Sequence, residues 1–334
     1  MTHVVHKWRV WAFVGVCVMA GGGAVASLMR ARHAATSAVF VPSASPDLPS
    51  PPRAPFLMVR NLPSGPGWGH VALVPLAAID GPRYVSPLAC MRVHYAGGRG
   101  LCLTASGPTG QAIVFDERLE PRHTFPLTGA PSRARVSRDG RRGAVTVFEQ
   151  GHGYSDLTFS TRTTLFDLAA GTVIADLEQF RVVHNGQPLS RPDFNYWGVT
   201  FADDGNRFFA TLAFGGTPYL VEGDVAERAV RVLVPGVECP SLAPSGARIA
   251  FKRPLPLADG GGWRLWVLDL ASKSARPVAG ETRSIDDQVE WLDETHILYQ
   301  YPAEDGNHIW SASVDDAEPA RRYLADAWSP ALVR

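Results

Sequence analysis

The chain has 334 residues, and its Lys plus Arg count equals its Asp plus Glu count at 32 each. That balance supplies no long-range positive field, which argues against nucleic acid as a partner. An apolar content of 46% suffices for one large β domain or two smaller ones and excludes a chain too polar to bury a core.

In chain order, Lys7 and Arg9 precede an uncharged stretch from Trp11 to Met29, WAFVGVCVMAGGGAVASLM. At about 1.5 Å per residue such a stretch, if helical, matches a hydrocarbon slab of ~30 Å. Residues 1–33 are therefore expected to form a hydrophobic helix that serves as a signal peptide or membrane anchor. Ala24-Val25-Ala26 before Ser27 fits a small-x-small cleavage pattern, while Arg30 and Arg32 fit the flank of a retained span, so both fates stay open. Either one puts the remainder outside the cytoplasm, secreted or anchored through residues 11–29, unless the span inserts with the opposite orientation. Val16 stands where lipidation of Cys17 would need a small residue. Residues 34–55 are rich in Ala, Ser and Pro without an apolar period, and read as a disordered, extended linker.

From Phe56 onward the sequence repeats. MRVHYAGGRGLCL (91–103), RARVSRDGRRGAVTV (133–147), WGVTFADDGNRFFATL (197–212), VECPSLAPSGARIAF (237–251) and VEWLDETHILYQ (289–300) are each an alternating run, a tight polar turn and a second β-prone run. Their turn centres, Gly98, Gly140, Gly205, Gly246 and Thr295, lie 42, 65, 41 and 49 residues apart. Gly and Asp suit such turns because they tolerate positive φ or bond their own backbone. A third and a fourth run follow each hairpin, as in Ser160 to Asp167 and Thr172 to Leu177. Four antiparallel strands per repeat of this length are the mark of a propeller blade. Five repeats fill residues 87–326. Three strands before Pro87 and one in Ala327 to Arg334 complete a sixth blade, and pairing the tail with the head removes an exposed sheet edge. The expected fold is thus all-β, a six-bladed propeller over residues 56–334 closed by the C-terminal strand.

SLAPSGARIAF followed by WRLWVLDL, with ThrLeuPheAspLeu at 164–168, resembles the repeat of TolB-type β-propellers. There a Ser-Pro-Asp-Gly-like turn precedes an Ile-Ala-Phe-like strand, and a later strand ends in Asp-Leu. DFNYWGVTF, VECPSLAPSG and SIDDQVEWLDE further resemble actinobacterial TolB-like proteins bearing a signal sequence. Gly97 and Ser245 depart from the pattern by replacing the turn Asp. The resemblance covers most of residues 56–334 and implies a propeller; residues 30–55 have no room for a separate α/β domain.

In a four-stranded blade the loop after the second strand and the connection to the next blade share one face, where the innermost strand begins. That upper face is where a site is expected. Asn195, Trp197, Glu238, Asp286 and Asp287 are brought there by three neighbouring blades, with Arg133 and Arg283 as expected partners of the acidic groups. The same face receives His152, in a Gly-flanked loop, and the long connection 180–195. Glu238, Asp286 and Asp287 could chelate a cation or simply pair with Arg; His152 could be an acid, base or ligand, its ordinary pKa lying near neutral; Trp197 could stack on a ligand or pack between blades. The metal question stays open at this stage.

GxSxG, HExxH and GxxxxGK[ST] are all absent, and GlyTyrSerAsp at 153–156 lacks the second glycine of a nucleophile elbow. No cofactor is expected. The reading is a monomeric, exported or membrane-tethered, non-enzymatic propeller that binds a protein, peptide or envelope glycan. The alternative is a metal-assisted polysaccharide lyase or hydrolase-type enzyme. Beyond Cys17 the cysteines are Cys90, Cys102 and Cys239. One disulfide is possible in an oxidising compartment, but Cys90 lies eight residues before Gly98 and Cys102 four after it, so they do not face each other in a simple hairpin, which counts against a bond between these two and leaves the pairing open.

Overall fold

The computed structural model describes residues 50–106, 109–149, 160–256, 258 and 260–334. The hydrophobic segment of residues 11–29 and most of the linker lie outside the described residues.

Six sheets, each built on four antiparallel strands, form a ring. From the axis outward, blade 1 holds Ala327–Val333, Phe56–Asn61, His70–Pro75 and Tyr84–Ala89, and blade 2 holds Arg92–Ala96, Arg99–Ser106, Thr109–Asp116 and Pro121–Leu127. Blade 3 holds Gly129–Val136, Arg142–Glu149, Ser160–Asp167 and Thr172–Asp176; blade 4 holds Asn195–Phe201, Arg207–Phe214, Thr217–Asp224 and Ala229–Pro235. Glu238–Leu242, Arg248–Pro254, Trp263–Asp269 and Ala275–Pro277 make blade 5, and Glu290–Trp291, His296–Ala303, Gly306–Ser313 and Arg321–Leu324 make blade 6. The tail closes the ring as the alternation requires: Phe56 faces Val333, Leu57 faces Leu332 and Asn61 faces Ala327.

Burial explains the ring. Each strand alternates between two faces, and each blade presses both faces on its neighbours. Among the described residues the core divides into clusters that sit between successive blades. Leu57, Val59 and Ala72 of blade 1 meet Leu298 and Ile309 of blade 6, and Phe209 and Leu220 of blade 4 meet Ile249 and Phe251 of blade 5. Blades 3 and 4 share the cluster that holds Leu165, Tyr196 and Phe208. At ~25 cal/mol per Å² of apolar surface, such contacts supply most of the driving force for closure.

The turn substitution at Gly97 has a local cause. Gly97 has φ +54°, and a Cβ there would lie 2.3 Å from the carbonyl carbon of Asp139 in the corresponding turn of blade 3. Asp139 keeps the role expected of a turn carboxylate, accepting from Ser137 Oγ at 2.5 Å and from the Arg141 N–H at 3.0 Å.

Two expectations are corrected. Residues 180–195 do not build a loop over the mouth. Arg181–His184 pairs in parallel with Ala229–Pro235, and Gln187–Leu189 pairs with Arg181–His184, so the insertion extends the outer edge of blade 4 to six strands. Cys90 and Cys102 are disulfide-bonded, with Cα atoms 5.3 Å apart. Counting along a hairpin missed this because Cys90 lies outside the ladder. The first cross-strand pair is Arg92 with Leu103, Met91 N–H donates to Leu103 O, and the bend at residues 90–91 turns Cys90 back over Cys102. Cys239 is free and buried.

Candidate functional site

The innermost strands start at the upper face, and alternate side chains along them point to the axis. Arg92 and His94 come from blade 2, Arg133 and Arg135 from blade 3, and Gln288 and Glu290 from the start of blade 6. The result is two tiers of charge along the channel.

The upper tier is a lattice of ion pairs. Lys252 Nζ lies 2.5 Å from Asp286 Oδ1 and 3.5 Å from Glu238 Oε2, with its ammonium 4.2 Å from the Trp263 ring centre. Glu238 Oε1 accepts from Trp263 Nε1 at 3.1 Å. Arg133 Nη2 reaches Asp286 Oδ1 at 3.4 Å. Arg92 Nη1 donates to Gln300 Oε1 at 2.8 Å and lies 3.6 Å from Asp287 Oδ1, whose other oxygen accepts the Gln300 N–H at 3.1 Å. Burial raises the Asp286 carboxyl, but Lys252, Arg133 and Arg92 outweigh it and hold it below the ordinary carboxylate range.

The lower tier closes the channel. Arg135 Nη1 donates to Glu290 Oε2 at 2.5 Å and lies 3.0 Å from His94 Nε2; Arg135 Nη2 donates to Val289 O at 3.0 Å. His94 Nδ1 accepts the Val136 N–H at 3.1 Å, which assigns the ring proton to Nε2, 3.5 Å from Glu290 Oε2. Burial pushes Glu290 up, yet the hydrogen bond from His94 and the charge of Arg135 prevail and hold its pKa at about 2. Burial, reinforced by Arg135, lowers the His94 pKa and keeps the ring neutral at pH 7. Below this plug the channel opens into a cavity of about 480 Å³ whose walls include Tyr95, Phe201, Trp291 and Arg138.

The expected site residues divide into three sets. Glu238, Asp286, Asp287 and Arg133 meet at the mouth. Asn195 and Arg283 do not join them, and Trp197 is buried. Asn195 Oδ1 accepts the Thr161 N–H at 2.9 Å and so fastens blade 3 to blade 4, while Trp197 is 8% exposed and packed. Arg283 pairs with Glu281 at 2.5 Å and lies between the rings of Tyr301 (4.2 Å) and Trp310 (3.8 Å), so it is not a partner of Asp286. His152 lies outside the described residues. Among the described residues no three His, Cys, Asp or Glu side chains form a group able to hold a metal ion. Lys252, Arg92, Arg135, His94 and Glu290 escaped notice, although the period-two spacing Arg92-x-His94, Arg133-x-Arg135 and Gln288-x-Glu290 marks polar side chains facing an axis.

On the blades around the mouth, one loop residue and several strand residues place aromatic rings against cations. Trp68, 57% exposed, lies 5.0 Å from the Arg60 guanidinium; Trp328 lies 5.6 Å from Arg92; Met91, 39% exposed, stands beside them on the connection between blades 1 and 2. Trp263 and the Tyr301–Arg283–Trp310 stack continue the series on blades 5 and 6.

Solved structures share this architecture. TolB from Acinetobacter baumannii aligns with a TM-score of 0.59 over 83% of this chain at 15% identity. The chain has the TolB-like propeller fold. It spans 65% of the length of that TolB. A second match, a putative TolB from Agrobacterium tumefaciens, has a TM-score of 0.50 and 12% identity, covering 80% of this chain and 88% of that one. A chain from a nidogen/laminin complex aligns at 0.58 and 10% identity, covering 84% of this chain and 99% of its own length. No protein-family model and no curated protein matches the chain. At these identities the TolB-like likeness is one of fold.

Proposed function

We propose that this chain is a non-enzymatic, extracytoplasmic propeller, released or held at the membrane by residues 1–33, that binds a protein or peptide on its upper face. The carrying observation is the set of aromatic and cationic side chains around the mouth. Trp, Tyr, Arg and Met are the residue types that dominate protein-binding hot spots, and here they gather on one face with Trp68 and Met91 exposed. The Cys90–Cys102 bond supports an oxidising compartment. The similar chain solved in a nidogen/laminin complex offers the parallel of such a propeller within a protein assembly. Among the described residues nothing favours the lyase reading: Glu238, Asp286 and Asp287 are engaged by Lys252, Arg92 and the Trp263 indole N–H.

The test is capture from intact cells by the full chain, followed by affinity measurement with Trp68→Ala and Met91→Ala combined. Hot-spot side chains carry ~2 kcal/mol or more each, so binding should weaken at least tenfold while the thermal midpoint stays put. Unchanged binding would remove this face from consideration.

A further inference from the structure

Trp68 and Met91 stand on a hydrogen-bonded frame at the upper end of blade 1. Asn61 O accepts the Gly69 N–H at 2.7 Å, Gly65 O accepts the Trp68 N–H at 3.1 Å, and Asn61 Nδ2 donates to Gly67 O at 3.1 Å. Gly69 O accepts the Cys90 N–H at 2.9 Å, which brings Met91 next to the Trp68 loop, and the Cys90–Cys102 bond fastens that connection to blade 2. Arg60 and Trp328 are direct partners across strands, so both side chains stand on one face of the blade.

Arg60 is the cation that this frame leaves bare. Arg92, Arg133, Lys252 and Arg283 each pair with a carboxylate. Among the described residues Arg60 has neither an ion pair nor a hydrogen bond, and the Trp68 ring 5.0 Å away is its contact. It is half-buried, and burial lowers its pKa with no acidic group acting in opposition. Its Nε is shut off from solvent, but its two Nη groups are not. The sequence explains the missing counter-charge: between Asp47 and Asp116 the one acidic residue is Asp80, on the connection at the opposite end of blade 1. Asp326, in the adjoining loop, acts on Arg83 and lies 4.0 Å from His308. A guanidinium presents a planar fork that matches a carboxylate, and a half-buried one without counter-charge gains most from meeting it.

Resting on the proposal that the upper face binds a protein, we infer that the partner presents an Asp or Glu side chain next to an apolar one. The carboxylate pairs with the Arg60 Nη groups, and the apolar neighbour covers Trp68 and Met91. A basic segment would meet an uncompensated cation here and no acid to pair with.

The experiment uses the full chain with isotope-labelled tryptophan, its Trp68 indole signal assigned through Trp68→Phe. The probes are the capped peptides Gly-Glu-Phe-Gly and Gly-Gln-Phe-Gly, which differ in charge and hardly in shape. The Glu peptide should shift the Trp68 indole N–H and bind about five- to tenfold more tightly than the Gln peptide. High salt should narrow that gap, and Arg60→Gln should erase it. The comparison of the two peptides on the native chain stands however the variant folds. Equal binding of both, or no shift from either at millimolar concentration, would overturn the carboxylate. That result would leave the binding face standing, since the face falls only if partner capture ignores the combined Trp68 and Met91 substitutions. A shift caused by an oligouronate and not by the Glu peptide, or by raising the protein concentration alone, would give the site to a glycan or a second copy and also overturn the inference.

Discussion

Replacing Glu290 by Gln preserves the shape of the side chain and removes the one negative charge that Arg135 and His94 share. Arg135 is 7% exposed, and the Glu290 side chain is 15% exposed, so solvent cannot take over the lost charge. Leaving one member of a buried pair uncompensated costs about 3–5 kcal/mol. An independent route agrees: depression of the Glu290 pKa from 4.5 to about 2 corresponds to about 3 kcal/mol at ~1.4 kcal/mol per pH unit. The folded-state pKa lies below the unfolded one, so this contribution is present above pH 4.5 and is lost as pH falls from there toward 2. Urea unfolding of wild type and Glu290→Gln should show a gap of about 3 kcal/mol at pH 7 with an unchanged slope in denaturant, and the gap should close on acidification. Arg135→Met combined with Glu290→Met should recover much of the loss, because an apolar pair leaves no charge stranded. A gap under about 1 kcal/mol at pH 7, or one that persists unchanged at low pH, would refute the reasoning.

Glu178 behaves oppositely. Burial pushes its pKa up to about 8, above the ordinary 4.5, so its contribution is complete below pH 4.5 and is lost as pH rises through 8; Glu178→Gln should flatten the stability profile across that window in a pH series of thermal midpoints. Cys102→Ser opens the bridge to Cys90, twelve residues away, and should cost ~2–4 kcal/mol, with dithiothreitol destabilising wild type and leaving the variant unchanged. In Gly223→Ala the new Cβ would meet the Phe208 ring at 2.1 Å, an overpacking that should lower stability by ~1–3 kcal/mol in chemical denaturation.

The ring was legible because its signals are local and repeated. Tight turns at Gly140, Gly205 and Gly246 announce hairpins, and each has the positive φ that such a turn demands. Closure was legible from an unpaired head and tail. The Cys90–Cys102 bond was not, because it depends on a bend outside the ladder rather than on hairpin spacing. Residues 180–195 have no turn or period that distinguishes a mouth loop from added edge strands, and the pairing of Arg181–His184 with Ala229–Pro235 is set by a strand 48 residues on. Of the site, the acidic mouth could be seen from strand starts. Lys252 could not, since it lies on the second strand of blade 5 and reaches the axis by the length of its side chain. Arg283 was misassigned for a related reason: proximity in sequence to Asp286 says nothing about the Tyr301 and Trp310 rings that hold it.

The most direct test of an upper binding face is a photo-reactive amino acid placed in the full chain at Trp68 or Met91 and, separately, at Arg138 beside the lower cavity, followed by irradiation of intact cells. Adducts of a single defined partner are expected from the two upper positions and not from Arg138. Adducts from Arg138 alone, or none from either upper position, would contradict the assignment.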